Sequence, residues 1–446
     1  MSVLQRLREK FWFIPAVLCV AAFLLAQALV ALDRRVGDID TSGFLGALLH
    51  EAGASGSRDV LSVIATSSLA VAGTTFSITI AVMALTSSSY GPRLVRNFMA
   101  DTGNQLVLGV YVATFLYSLL VMRALGGMGD ARQDGAEDFV PHIAVNVAIV
   151  LAVLNVAVLV YFIHHISDSI QIATIAARVR TDLRGTVDRL YPETLGQGTD
   201  QGHDDEATDV LPQRLDADGV AVLAGRPGYL QSIREDELMD VATRHDVLVA
   251  MRVRPGSYVI DSTVLALVHP PERATEAVRA GIRASLLIGD ARSPHQDVEF
   301  GVQQLTELAV RALSSGTNDP YTAVNALDDL SAALVVLASR PQPSAARYDS
   351  RGVLRVHAPH LDVAELVSGV LDRMRWYAAS SVEVMSEALI LAELVGAHAR
   401  GPEVRARLLT EVQLMTEAVA RAGNQDHDVE VFRARADEVA RGLARG

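Results

Sequence analysis

The sequence predicts a mainly α membrane protein: a four-helix transmembrane bundle, then a cytoplasmic α+β C-terminal domain with a small β-rich subdomain followed by a helical subdomain. Three observations carry this. Uncharged apolar runs lie between Lys10 and Asp33, Asp59 and Arg93, Asp101 and Arg123, and between Asp138 and Asp168 (where only histidines interrupt); each reaches the ~20 residues that a helix needs to cross a bilayer core. No comparable uncharged run follows Ile170. Beyond it a helical extension and an acidic linker come first, and the apolar period then turns strand-like and afterwards helical, as expected of a water-facing domain.

The spans are expected at about 11–32, 60–88, 102–122 and 140–164, within a transmembrane domain of residues 1–170. Unpaired backbone amides in hydrocarbon would each cost several kcal/mol, and runs this long without alternation mean helices, not barrel strands. The first run exceeds the h-region of a cleaved signal and is followed by Asp33-Arg34-Arg35, so it reads as a retained anchor. Arginine and lysine set the orientation. Nine lie in the N-terminus, the Arg93/Arg96 loop and the stretch with Arg178, Arg180, Arg184 and Arg189, against five in the other two loops. Both termini are therefore expected in the cytoplasm.

Past the fourth span, Ile172, Ala176, Val179, Leu183, Val187 and Leu190 recur at steps of three and four. They predict an amphipathic helical extension over 171–192, closed by Tyr191-Pro192, whose apolar stripe packs within the chain in preference to a coiled-coil seam, since it covers few heptads. Residues 193–218 are rich in Gly, Asp, Gln and Thr and read as a flexible acidic linker. Residues 219–295 form the β-rich subdomain, with strands at Val247-Leu248-Val249 and Val264 to Val268, a turn at Arg254-Pro255-Gly256, and a short helix from Arg234 to Arg244. The stretch 296–446 reads as almost wholly helical.

Composition excludes several chemistries. The formal charge is -13, against a general nucleic-acid binder, which needs a basic face. Lys10 is the single lysine, so no phosphate-loop lysine, Schiff base or lipoyl attachment site is available. The single cysteine, Cys19, rules out an intrachain disulfide and a cysteine-based zinc cluster. No cofactor is implied, and no metal site is assigned: in His357-Ala358-Pro359-His360 the proline breaks the helix that would align the two ligands. Nucleophile-elbow, zincin and phosphate-loop motifs are missing, so the chain is expected not to be an enzyme.

The second span is the most unusual. At 100° per residue Ser62, Thr66, Gly73 and Ser77 share one face, and Ser68, Thr75, Thr79 and Thr86 share another. Such stripes face protein or water, either as tight helix packing or as the lining of a path for ions or a small polar solute. The span is also too long for one straight crossing: it is tilted, broken near Gly73, or continued beyond the membrane. Asn146 and Asn155 of the fourth span lie on opposite helix faces and are expected to satisfy different neighbours. That span ends in His164-His165, with Asp168 four residues after His164: a titratable group at the membrane edge. In the downstream domain, Arg311 to Pro320 reads as a helix end, a turn and a helix start. Gly316 suits the C-terminal cap, Asp319 the N-cap and Pro320 the first helical position, and Arg311, Asn318 and Asp319 are candidate ligand-binding residues.

Phe76-Ser77-Ile78 with Tyr90-Gly91-Pro92-Arg93, the segment Gln296-Asp297-Val298-Glu299-Phe300, and Arg311-Ala312-Leu313-Ser314 with Asn318-Asp319-Pro320-Tyr321-Thr322-Ala323 resemble a bacterial family of multi-pass membrane proteins classed as a domain of unknown function. The likeness covers nearly the whole chain. It implies a bacterial inner-membrane protein and brings no reaction with it. Relatives commonly have proline after the Leu-Ser pair; here Ser315 implies a looser turn. A shorter likeness, Arg254-Pro255-Gly256-Ser257-Tyr258-Val259 followed by Leu265-Ala266, is similar to one hairpin of the barrel-sandwich fold of lipoyl-like domains.

Two functions follow from these features. The first is a homo-oligomeric, channel-like membrane protein for ions or a small solute, with the lipid bilayer as surroundings and the cytoplasmic domain for regulation or assembly. The second is a membrane-tethered sensor or scaffold whose cytoplasmic domain binds a ligand or a partner protein.

Overall fold

The computed structural model describes residues 11–36, 53–90, 101–126, 139–169, 172–191, 218–358 and 361–445. The acidic linker read at 193–218 lies almost entirely outside them. The chain divides into two compact units, Met1–Ile175 and Ala176–Gly446.

The first unit holds α1 (Phe13–Val36), α2 (Ala54–Tyr90), α3 (Thr102–Gly126) and α4 (His142–Ser169). α3 packs against all three others. α2 runs through Gly73 without a break for 37 residues, a length of ~55 Å at 1.5 Å per residue, well beyond the ~30 Å of hydrocarbon in a bilayer. The burial pattern is inside-out. Val150, Val153, Val156 and Val160 of α4 each leave 64–66% of their surface outside the bundle, while Ser68, Asn104, Gln105, Thr114, Ser118 and Asn155 are buried within it. In water that arrangement would expose a broad apolar face, which soluble monomers rarely carry; hydrocarbon solvates it.

Five helices among the described residues are long and apolar enough to cross a membrane. Four are α1 to α4. The fifth is Pro320–Ser339, in the second unit, where the uncharged-run criterion finds nothing because Asp328 and Asp329 interrupt it.

α5 (Ile172–Leu190) lies in the second unit from Ala176 onward and buries Ala176, Val179, Leu183 and Val187. Leu183 packs on Gly301, where an added Cβ would stand 3.0 Å from Leu183 Cδ1. Thr186 donates to the Pro294 carbonyl at 3.0 Å, and Arg340 pairs with Asp188 at 2.7 Å. Eight strands follow in two sheets. The larger contains β1 (Val220–Leu223), β3 (Leu248–Met251), β5 (Val264–His269), β7 (Ala346–Tyr348) and β8 (Leu354–His357), in the order β1-β5-β3-β8-β7. The smaller has the order β4-β2-β6, from β2 (Gly228–Ile233), β4 (Tyr258–Val259) and β6 (Leu286–Gly289). All pairings are antiparallel except β3 with β8. Helices α6 (Glu235–Arg244) and α7 (Glu276–Ser285) complete a core around Val222, Leu230, Val249, Leu265 and Ile282.

Three expectations need correction. β7 and β8 lie inside the stretch read as helical, and β8 pairs parallel with β3, about a hundred residues earlier; their short alternation gives little local signal. α7 was not expected. Residues 254–268 do not form a hairpin, because β4 pairs with β2 while β5 pairs with β1 and β3, in different sheets.

The rest of the unit is helical: α8 (Val298–Ala312), α9 (Pro320–Ser339), α10 (Val363–Ala378), α11 (Val382–His398), α12 (Pro402–Arg421) and α13 (Asp426–Arg445). α9 packs against α8 and α11, burying Ala323, Leu327, Leu330 and Leu334 completely. Its apolar character is that of a core helix. Asp297 begins α8 by accepting the Phe300 amide at 3.0 Å, and it holds Arg292 through two 2.8 Å bonds. Gln296 binds both backbone groups of Ile233. This conserves register at the junction of sheet and helices, so the Gln296 to Phe300 string has a structural task.

Candidate functional site

The two stripes of α2 have different surroundings. Ser68, Thr75 and Thr79 are buried inside the bundle, at 3%, 3% and 6% exposure. Thr75 donates to Ala72 O at 3.0 Å and Thr79 to Thr75 O at 2.8 Å. Ser62, Thr66, Gly73 and Ser77 lie on the outer side, exposed; Ser77 bonds back to Gly73 O at 2.9 Å. The side chain of Thr86 lies outside the described residues.

Ser68 belongs to a polar cluster at mid-bundle. Asn155 Nδ2 donates to Ser68 Oγ at 3.0 Å, and Thr114 Oγ1 lies 3.3 Å from Asn155 Oδ1. Tyr111 donates its hydroxyl to the Asn155 carbonyl at 2.7 Å. Three helices thus meet through hydrogen bonds where hydrocarbon offers no alternative partner. Asn146, on the opposite face of α4, bonds instead to His142 O at 2.9 Å. Asn155 thus bonds across to two other helices, whereas the bond of Asn146 returns to its own helix.

On α3 the polar residues recur every seven positions. Asn104, Tyr111 and Ser118 are 3%, 2% and 0% exposed, and seven residues return to nearly the same helix face. Asn104 Oδ1 and Nδ2 and Ser118 Oγ are buried without a hydrogen-bond partner. At the far end Tyr117 donates to Ala144 O at 2.8 Å, and Asp33 of α1 accepts the amides of Ile143 and Ala144 at 3.0 and 3.1 Å. The start of α4 is therefore capped from another helix.

The other end of α3 starts at Asp101, whose Oδ1 accepts the Gly103 amide at 2.8 Å and lies 2.9 Å from His165 Nε2. Gly103 makes room for that imidazole, since a Cβ would stand 2.6 Å from Nε2. Tyr161 stacks on the His165 ring with centroids 5.4 Å apart. Burial pushes the Asp101 carboxyl up, but the hydrogen bond and charge of His165 with the Gly103 and Asn104 amides outweigh it, and the group ends below its ordinary range. The two adjacent histidines stand out in the sequence, whereas Asp101 is a single acid at a helix start that resembles any N-cap. His164 is exposed, and the side chain of Asp168 lies outside the described residues.

The turn after α8 is a compact connection. Arg311 pairs with Glu307 at 3.1 Å. Asp319 accepts the Thr322 amide at 3.1 Å and its hydroxyl at 2.6 Å, which hold its carboxyl below the usual range. The left-handed residue is Asn318, with φ +44, so Gly316 is not the cap. The amide that an anion would use at this helix start is taken by Asp319 itself. Among the described residues no group of three His, Cys, Asp or Glu side chains could hold a metal. Burial, then Arg252, lowers the His357 pKa.

A family model described as "Predicted membrane protein (DUF2254)" matches residues 8–393. The chain belongs to this family. Uncharacterized proteins from Mycobacterium bovis and Mycobacterium tuberculosis are each 31% identical to it over 431 residues, covering 96% of this chain and 79% of theirs. No solved structure matches. As a member of this family the protein is a membrane protein with several apolar helices.

Of the residues with no signal of their own in the sequence, Asn104, Tyr111, Thr114 and Ser118 lie on α3 and Asp101 caps its start. Taken together, Asn104, Tyr111 and Ser118 do carry one, their seven-residue spacing within one apolar run.

Proposed function

We propose that the protein is a non-enzymatic membrane protein of four spans, with both termini in the cytoplasm. Copies of it assemble into a homo-oligomer that forms a pathway for ions or a small polar solute, and the second unit serves regulation or assembly. The observation that carries this reading is the outward stripe Ser62, Thr66, Gly73 and Ser77 of α2. Hydroxyls facing lipid only bond back to their own backbone and gain nothing. Facing a second copy across a closed symmetry axis, they would line water or pack closely. One bundle encloses little space, and a ring of α2 helices encloses more.

Two further points support the topology. Asp328 and Asp329 sit mid-way along α9, and placing an aspartate at a bilayer centre costs ~3 kcal/mol on insertion scales. The arginine bias of the flanks favours a cytoplasmic second unit.

The test is reconstitution of the full-length protein in liposomes with imposed ion gradients. Ser62→Leu, Thr66→Leu and Ser77→Leu are expected to alter the flux. A folded oligomer that passes none of the ions or small solutes tried would end the reading and favour the membrane-tethered sensor or scaffold.

A further inference from the structure

In the second unit a cavity of about 250 Å³ opens where α9 ends and α10 and α12 begin. Its floor is apolar: Leu337, Val363 and Val404 are 2%, 3% and 5% exposed. Its charge comes from two arginines, Arg340 and Arg400, and Gln342 adds an amide. Arg340 is sunk into the fold, with 10% of its side chain exposed, and holds Asp188 of α5 at 2.7 Å. Arg400 is exposed and enters no ion pair among the described residues. The backbone amides of the two arginines donate to Leu337 O and Ala338 O at 3.3 and 3.2 Å, which closes the electronegative end of α9. α12 offers the opposite pole. Its N-cap is Gly401, Pro402 stands at the first helical position, and no side chain caps the amides of its first turn. The positive end of a 20-residue helix therefore borders the cavity.

We propose that this cavity binds a small carboxylate with an apolar body, its anionic group held by Arg340, Arg400 and the first turn of α12. The acid on the cavity wall is Glu403. It is exposed, enters no ion pair among the described residues, and folds back over Gly401 so closely that a Cβ there would collide with it. Glu403 thus puts an anion where the helix end favours one, and an incoming carboxylate takes over that position while Glu403 turns to solvent. Against its single negative charge stand two guanidiniums, whose planar forks match a carboxylate with parallel N–H donors. The floor selects the rest of the molecule: a branched aliphatic chain buries against Leu337, Val363 and Val404, whereas inorganic phosphate gains nothing from them. The volume lies just under the ~300 Å³ at which pockets take drug-sized molecules, so the ligand is metabolite-sized. It engages the same guanidinium that ties α9 to α5, the helix that follows α4 in the sequence. The site gives an effector to the regulatory role proposed for the second unit and rests on that reading for its purpose, while binding rests on the cavity alone.

The experiment is titration calorimetry of the full-length protein in detergent, with isocaproate as the probe and its neutral amide, isocaproamide, and inorganic phosphate as comparisons. Isocaproate is expected to bind with a dissociation constant of about a millimolar or tighter, and the other two about tenfold more weakly. Arg400→Gln and Arg340→Gln should each weaken isocaproate by about tenfold, and Glu403→Gln, which removes the competing carboxylate, should tighten it by about threefold. Arg421→Gln, at the other end of α12, should leave binding unchanged. Arg400 has no ion pair to lose, so Arg400→Gln keeps the test decisive if Arg340→Gln, which strands Asp188, fails to fold as judged by melting in detergent. No saturable binding of isocaproate up to about 10 mM, equal affinity for isocaproate and its amide, or a folded Arg400→Gln that binds like wild type would overturn the inference. Binding by a protein whose liposomes pass no ion or solute keeps the site and ends the pathway; flux without binding keeps the pathway and ends the site.

Discussion

His165 Nε2 stands 2.9 Å from Asp101 Oδ1, joining the end of one membrane helix to the start of another at the place where Gly103 leaves space for the ring. Asp101 does double service, as N-cap and as partner of an imidazole. Asp101→Ala should lower stability by about 1 to 2 kcal/mol through the lost cap and the lost bond to His165, read as a melting shift in detergent. Its carboxyl is depressed in the folded state, so its stabilisation is complete above the unfolded carboxylate value and is lost as pH falls through the folded value. Wild type should lose melting temperature on acidification below about pH 4 by more than Asp101→Asn does. Gly103→Ala, which pushes the imidazole away, should weaken the pair without touching either partner.

Asn155 ties α2 and α3 to α4. Interhelical hydrogen bonds in membranes are worth about 0.6 to 2 kcal/mol each, so Asn155→Ala, which loses Ser68 and Thr114 together, should be more destabilising than Asn146→Ala. Thermal denaturation of the two variants in the same detergent compares them.

Glu387 of α11 has a carboxyl pushed up to about 7, by burial first and then by the charge of and hydrogen bond with Asp328 of α9. A carboxyl raised on folding favours the folded state while protonated, so stability falls as pH rises from the unfolded value near 4.3 towards 7 and is flat above it. Glu387→Gln should remove that slope and raise stability at pH 8 by about 1 kcal/mol after allowance for solvent screening. Melting curves of the full-length protein from pH 5 to about pH 8 would show a slope in wild type only.

Asn318 occupies the left-handed region with φ +44. Asn318→Gly should be neutral or stabilising, whereas Asn318→Val should cost about 1 to 2 kcal/mol, since a β-branched residue is penalised there. Asp319→Ala should cost about 1 kcal/mol through the lost N-cap. If both act only on stability, ligand binding does not reside in this turn.

Local patterns revealed most of the helices because their signals are local. Asp319-Pro320 opens α9, and the three-and-four recurrence from Ala176 to Val187 gives α5 its buried face. What escaped notice depends on distant partners. β8 owes its existence to β3, and nothing between residues 346 and 357 announces that neighbour. Asp101 looks like an ordinary cap until His165 arrives from the other helix. The two hydroxyl stripes of α2 are equivalent on a helical wheel, and only the positions of α3 and α4 decide which is enclosed.

The parallel pairing of β3 with β8 has a consequence for how this polypeptide can be cut or made. A fragment ending near residue 295 leaves the ribbon containing Val249 and Ala250 with a bare edge, since Val356 and His357 have not yet been synthesised. Such edges recruit strands from other molecules. Expression of the C-terminal region as two pieces should therefore yield aggregates, and on the ribosome the early strands must wait for a latecomer before the sheet is complete.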